Sequence, residues 1–253
     1  MTASRGQRVA AILPLPFPER VAAALEPLAG QSPLVRVVRG ALAAVVDPTA
    51  LSVAVAERFA GDVSEHLANE GLGAVGVAVV GGPATRAQCL AAALEQVGSA
   101  PVSARFVLVY DVRQPLTSAE VRDRVVERLT GATPVVLPVL AVTDSVKAVD
   151  GRGVVVASLD RSALQSVQYP RGFAADLLAR LLTESAGESD AGKFDAEKFD
   201  AEKFDAEKFD EAVEAIRAAV PISTVDGDPE AIAVDLPHDA PYLEAVIASR
   251  RRP

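Results

Sequence analysis

Tryptophan is absent from this chain, and cysteine, methionine, histidine and lysine are scarce. A single cysteine, Cys89, excludes an intramolecular disulfide and fits a reducing, cytoplasmic setting. His66 and His238 have no Cys, His or acid spaced around them as metal ligands would be, and no Ser/His/Asp motif occurs. Lysine is the more telling shortage. Four of the five lysines, at 193, 198, 203 and 208, fall in one repeat, so Lys147 is the only lysine outside it. No stretch reaches the roughly 18 uninterrupted apolar residues of a membrane span. The opening MTASRGQRVAAILPLPFPER has a short apolar run that stops at prolines and a charged pair, which reads as a first strand and not as a signal peptide. A net charge of −9 argues against nucleic acid as a partner, and the basic tail Arg250, Arg251, Arg252 reads as a solvated end.

Half of the 253 residues are apolar, with alanine and valine dominant. Apolar strand-like runs alternate with alanine-rich helical stretches. This predicts an α/β chain: three layers, α/β/α, around a mostly parallel twisted sheet, in one large domain over 1–253. The organising stretch is FVLVYDVRQP, Phe106 to Pro115. Phe106–Tyr110 is an unbroken apolar run, as expected of a strand covered on both faces. Asp111 follows where that run stops, and Pro115 prevents the strand from continuing as a central one. Ligands of open α/β sheets gather at the carboxyl ends of strands. Two readings of Asp111 stand at this point: a turn cap, or a carboxylate delivered to a site.

The remaining elements follow from pattern. Strands are predicted at Val9–Leu13, Ala43–Val46, Ala74–Val80 and Pro134–Val142. Helices are predicted at 19–28, 33–44, 49–72 (Thr49 as cap), 84–97, 117–129 (a Thr117/Glu120 capping box), 172–185, 212–220 and 241–250. Pro14, Pro16 and Pro18 stand at every second position after the first strand and make that loop stiff and extended. The stretch 145–158 reads as a hairpin arm about Asp150-Gly151. Short strands are expected at 222–225 and 231–235.

Residues 193–211 are a tandem repeat, KFDAE-KFDAE-KFDAE-KFDE, set in a low-complexity insert spanning 188–211. A period of five suits neither a helix, on which the four Phe would turn by about 140° each, nor a strand. Four Lys stand against eight acids in it. It reads as a solvated helical extension or a mobile insert, with partner binding through its four Phe residues as the alternative.

Three stretches carry a family resemblance: GGPATRAQCLAAAL at 81–94, FVLVYDVRQPLTSAEVRDRVVERL at 106–129, and VVLPVLAVTDSVKAVDGRGVVVASLDRSALQSVQYPRGFAADLL at 135–178. A weaker match covers 225–247. The chain resembles the bacterial methylerythritol phosphate cytidylyltransferases of the non-mevalonate isoprenoid pathway. That resemblance implies attack of the substrate phosphate on the α-phosphate of CTP, with Mg²⁺ and loss of pyrophosphate. Such chemistry relies on positioning and charge stabilisation. It further implies nucleotide contacts at Gly81, Gly82, Arg86 and Asp111, contacts to the small phosphorylated polyol at Ser145, Lys147 and Arg161, Mg²⁺ near Asp111 with Glu230 close by, and a homodimer that exchanges the 145–158 arm.

The departures from the family fall on the chemistry. The family's first loop is glycine-rich, contains an Arg and is followed by a Lys. Here it is PLPFPER, with Arg20 as the one candidate for the loop Arg and Ala23 at the Lys position. Prolines have no N–H with which to cradle a triphosphate. The cytosine-contacting Ser is Cys89, and the Arg after the strand-end acid is Gln114. The Thr-Pro-Gln motif reads Tyr169-Pro170-Arg171, and a C-terminal Lys reads Ala233. The repeat occupies the place of a Thr-Asp motif. A charge-assisted hydrogen bond to phosphate is worth about 1.5–3 kcal/mol, and several are missing here. The sequence therefore points to a divergent cytidylyltransferase with impaired or lost catalysis. A non-catalytic binding or regulatory protein, or a nucleotidyltransferase of altered substrate, are the alternatives.

Overall fold

A computed structural model describes residues 8–82, 84–99, 104–188 and 209–250. The sheet is built on β1 (Val9–Leu15), in which alternate side chains enter opposite layers. Ala10 and Ile12 face one core, and Val9, Ala11, Leu13 and Leu15 the other. All seven residues are buried, which requires helices on both sides. β2 (Leu51–Ala56) and β4 (Phe106–Val109) pair with β1 in parallel, and β3 (Gly76–Val80) extends the sheet beyond β2. Beyond β4 come β9 (Arg171–Ala174), β5 (Val135–Ala141) and β10 (Ile222–Asp226). β9 runs antiparallel to both of its neighbours, and β8 (Gln165–Val167) pairs antiparallel with the end of β5.

One face of the sheet carries α4 (Arg86–Gly98), α6 (Ala175–Glu188) and α7 (Glu211–Arg217). The other carries α1 (Pro18–Leu25), α2 (Pro33–Leu42), α3 (Glu57–Asn69) and α5 (Ala119–Arg128). The three-layer α/β/α expectation holds. A small separate cluster of Leu28, Leu116, Val234, Leu243 and Ile247 fastens α8 (Ala240–Arg250). β6 (Val146–Val149) and β7 (Val155–Leu159) form the predicted hairpin, a two-stranded sheet of its own.

Several predicted elements are corrected. Residues 43–46 form a turn, not a strand, and Val46 is 97% exposed. The second strand is LSVAVA, inside the stretch read as helix 49–72. Its alanines favour helix in isolation, but pairing on both sides with β1 and β3 fixes them as strand. Thr49 lies in a short 3₁₀ turn capped by Asp47. The helix expected from Gly172 begins only at Ala175, because 171–174 supply the strand that joins β4 to β5. There a Cβ on Gly172 would lie 2.7 Å from Leu129 and 2.8 Å from Val125, so only glycine lets α5 pack that closely. Residues 231–235 form no strand. The Thr117 capping box is absent as well: α5 starts after Ser118 without a side-chain cap, and Thr117 Oγ1 donates to the Gln114 carbonyl at 3.0 Å.

The repeat's units up to Lys208 lie outside the described residues. Its final three residues do not, and they are packed against the domain, with Phe209 and Glu211 buried and Asp210 half-buried. Phe209 is buried in the α4/α6 core, Asp210 caps α7 by accepting from the amides of Ala212 and Val213, and Glu211 is fully buried.

Candidate active site

The carboxyl ends of the parallel strands β1 to β4 bring together the proline loop, the glycine pair and Asp111. Pro14 and Leu15, expected in the loop, are buried at the end of β1 instead; only Pro16, also buried, and Phe17 connect it to α1, which begins at Pro18. Arg20, on the first turn of α1, stacks its guanidinium 4.5 Å from the Phe17 ring. After β3, Gly81 and Gly82 are exposed, and Gly82 adopts φ +70°, a left-handed conformation that favours glycine. Thr85 then closes a capping box with Gln88, and α4 opens with Arg86.

Arg86 and Asp111 meet beneath that turn, in a charge cluster that sequence reasoning did not assemble. Arg86 is 5% exposed. Its Nε donates to Glu211 Oε2 at 3.1 Å, and its Nη2 to Glu211 Oε1 at 3.0 Å and to the Tyr169 hydroxyl at 3.0 Å. Its Nη1 lies 3.6 Å from Asp111 Oδ2. Arg171 Nη1 donates to Glu211 Oε1 at 3.1 Å and to both oxygens of Asp210. Tyr169 covers the pair, with its ring centroid 4.3 Å from the Arg171 guanidinium and 5.7 Å from that of Arg86. Its amide donates to the buried Gln114 side chain at 2.6 Å.

Asp111 is committed to Arg113. Its Oδ1 accepts from the Arg113 amide at 2.9 Å and from Nε at 3.0 Å, and its Oδ2 accepts from Nη2 at 2.7 Å. Burial alone would raise the Asp111 pKa. The Arg113 hydrogen bonds and the charges of Arg86 and Arg113 outweigh it and hold the carboxyl below its ordinary value. Asp210 is lowered in the same way, with Arg171 opposing burial. Three guanidiniums (Arg86, Arg113, Arg171) thus face three carboxylates (Asp111, Asp210, Glu211). The cluster is charge-balanced before any ligand arrives.

The other predicted site residues lie elsewhere. Glu230 is exposed on the turn after β10, where its amide donates to Asp228 Oδ1. That turn is held by Gln168, whose Nε2 donates to the carbonyls of Asp228 and Ala231, both at 2.9 Å. Asp111 and Glu230 belong to no group of three or more His, Cys, Asp or Glu side chains gathered as for a metal ion; none exists among the described residues. With both oxygens of Asp111 accepting from Arg113, the residues present do not fit a resident Mg²⁺. Ser145 is exposed at the start of the arm, and Lys147 donates across it to Ser158 Oγ at 2.6 Å. Arg161 donates to the Thr143 carbonyl.

Arg113, Asp210 and Glu211 are site residues the sequence did not single out, and Tyr169 and Arg171 stood out only as departures from a family motif. The Asp-x-Arg spacing at 111–113 was a legible sign of the first. Glu211 was hidden in a repeat.

An open, mostly parallel sheet with an acid at the end of β4 and a Gly-Gly turn at the end of β3 defines an α/β protein whose ligand site lies at the carboxyl ends of its strands. Comparison with known proteins narrows this. The profile of the 2-C-methyl-D-erythritol 4-phosphate cytidylyltransferase family matches residues 18–249. A curated cytidylyltransferase of that name from Saccharopolyspora erythraea is 33% identical over 246 residues, covering 97% of this chain and 96% of its own. The chain therefore belongs to the 2-C-methyl-D-erythritol 4-phosphate cytidylyltransferase family. Solved structures share the fold. The Thermus thermophilus enzyme has TM-score 0.67 at 24% identity, covering 96% of this chain and 100% of its own. The 4-diphosphocytidyl-2C-methyl-D-erythritol synthase of Anaerococcus prevotii has TM-score 0.72 at 14% identity, covering 96% and 97%. No helix among the described residues is long and apolar enough to cross a membrane.

Proposed function

We propose that this chain is a divergent cytidylyltransferase-family protein in which transfer from CTP to methylerythritol phosphate is impaired or lost. The observation that carries this reading is the charge balance of the site. Arg86, Arg113 and Arg171 are each matched by a carboxylate. A triphosphate entering beside them meets no surplus of positive charge from these three, and the family's two lysine positions hold Ala23 and Ala233. The proline loop adds to this. Pro14, Pro16 and Pro18 have no N–H, and the Val21 amide is taken by the Phe17 carbonyl at 3.0 Å. Arg20 is the remaining loop cation for a phosphate, Gly81 and Gly82 leave room for a base, and Arg161 with Lys147 and Ser145 would meet the acceptor's phosphate.

The scaffold role follows from the arm. Val149, Val155, Val156 and Leu159 are each at least 47% exposed on β6 and β7. Apolar strands left open to water favour a partner, and we assign them to a homodimer of this chain. The single buried thiol, Cys89, suits a cytoplasmic protein. A non-catalytic binding or regulatory protein on this scaffold is the second reading, favoured by the same charge balance.

The test is pyrophosphate release by purified protein given CTP, Mg²⁺ and methylerythritol phosphate. Turnover at background, with native circular dichroism, is the expected result. Steady turnover that Asp111→Ala abolishes would overturn the proposal. Turnover with another nucleotide or acceptor alone would establish the altered-substrate alternative.

A further inference from the structure

The last copy of the repeat shows how a unit of this composition is recognised. Phe209 enters the apolar core beneath α4 and α6, and the next residue, Asp210, accepts from Arg171 Nη1 through both of its oxygens. A Phe-Asp step thus meets an apolar floor with a guanidinium beside it. The same step recurs at 194–195, 199–200 and 204–205.

A second place of that kind lies on the opposite rim of the sheet from Asp111. A cavity of about 690 Å³ opens at the amino end of β4, between the first turns of α6 and the chain that leaves α7. That volume is within the about 300–1,000 Å³ of clefts that enclose small ligands. The buried Phe106, the half-buried Val220 and the exposed Pro221 give it apolar walls. Its charged lining is Arg105, Arg180 and Asp176, all exposed. The Arg105 guanidinium stands 5.3 Å from the Phe106 ring centroid. Arg180 Nε is 3.8 Å from Glu184 Oε1, with both side chains more than half exposed. Asp176 accepts from the Leu177 amide at 2.9 Å. Exposed pairs such as Arg180–Glu184 contribute little and exchange readily. The lining therefore offers two positive groups and one negative. A KFDAE unit carries the inverse, one Lys against one Asp and one Glu.

Reach selects the unit. Ala175 to Arg180 line the cavity, and α6 ends at Glu188, about 20 Å further along its axis. Ala218 to Pro221 line it from the other side, at the end of the seven-residue α7, which is about 10 Å long. Between these two posts stand the twenty residues 189–208. Phe199 lies eleven positions from Glu188 and ten from Phe209. An extended chain spans about 3.3 Å per residue, so Phe199 reaches about 33 Å from either post. Phe194 and Phe204 are tied closer to one post each and reach the cavity only with their short side fully extended. Tethering holds a unit near the cavity at an effective concentration on the order of mM, so a weak contact suffices.

We propose that the unit 198–202 of this chain docks in this cavity, with the Phe199 ring against Phe106, Val220 and Pro221. Asp200 and Glu202 then face Arg105 and Arg180, and Lys198 faces Asp176. Docking ties α6 to α7 a second time and covers the amino end of β4. It is independent of turnover at the nucleotide site, which lies at the other end of the strands.

The chain has no tryptophan, so Phe199→Trp places a single reporter in the full-length protein. Acrylamide should quench it several-fold less efficiently than a free KWDAE peptide, and its emission should lie at shorter wavelength. Adding Arg105→Glu and Arg180→Glu should return quenching to the peptide's value. Both side chains are exposed, so circular dichroism and Tm should stay close to those of the parent. Arg180→Lys keeps the charge and should keep the protection. Three outcomes overturn the proposal: quenching equal to the peptide's before any charge is reversed; protection unchanged by the two reversals, which would place the ring elsewhere; or protection that falls on dilution, which would make the occupant a unit of a second copy.

Discussion

Arg86 and Glu211 form a two-point ion pair at 3.0 and 3.1 Å, across 125 positions of sequence, with the carboxylate fully buried. Such pairs are held more by the cost of breaking them than by their net attraction. Glu211→Ala removes the two-point partner of Arg86, leaving it Asp111 at 3.6 Å as its ion-pair partner, and should cost about 3–5 kcal/mol. The double variant Arg86→Met, Glu211→Leu should recover most of that loss. Urea denaturation measures both, and a double variant no better than the single would contradict this account.

Acid should weaken the fold through Asp111 and Asp210. Both carboxyls titrate below their ordinary value in the folded protein, although burial opposes it, because guanidiniums bond them. A lowered folded pKa means stability that is complete above the unfolded value of about 3.9 and is lost as pH falls through the folded value. Stability should therefore decline below about pH 4. Asp111→Asn should reduce stability at neutral pH and flatten that acid limb. An acid limb identical in slope to the parent's would remove Asp111 from the explanation.

Cys89 should be silent to thiol reagents. Burial pushes its thiol up to about 11, against smaller opposing effects from the Leu15 backbone and Arg86. At about pH 8 little thiolate exists and none is accessible. Labelling with Ellman's reagent should proceed at the rate of unfolding. Immediate labelling of the native protein is the outcome that would disprove it.

Gly172→Ala tests the close approach of α5 to β9. The added methyl would meet Leu129 at 2.7 Å and Val125 at 2.8 Å, an overpacking expected to cost about 1–3 kcal/mol. Adding Val125→Ala should return part of it in a thermal or urea melt, and no return would place the strain elsewhere.

The arm should carry the dimer. Val156→Glu, at a position 62% exposed, should shift the protein towards monomer in light scattering without altering its circular dichroism. A variant that stays dimeric would locate the interface away from β6 and β7.

Where the sequence was legible, one-dimensional pattern and tertiary role coincided. Phe106–Val109 is an unbroken apolar run because both faces are covered, and Asp111 follows at the strand's end for the same reason. The hairpin was legible from Asp150-Gly151. The β2 strand was not, since Leu51–Ala56 sits against a helical stretch and becomes strand only through neighbours on both sides. Nor was β9, whose four residues merge into the helix that follows. The ion-pair cluster was beyond sequence reasoning. It joins Arg86, Asp111, Arg171 and Glu211 from four separate segments, and Glu211 wears the composition of a solvated repeat.

That last residue has a consequence for how this chain can vary. The anchor of the 188–211 region is its final Phe209-Asp210-Glu211, packed and ion-paired, while α6 fixes the other end. The last copy of the repeat therefore differs from the others in what it must do: a change at Phe209, Asp210 or Glu211 alters the core and the Arg86 and Arg171 ion pairs, whatever the composition it shares with the units before it.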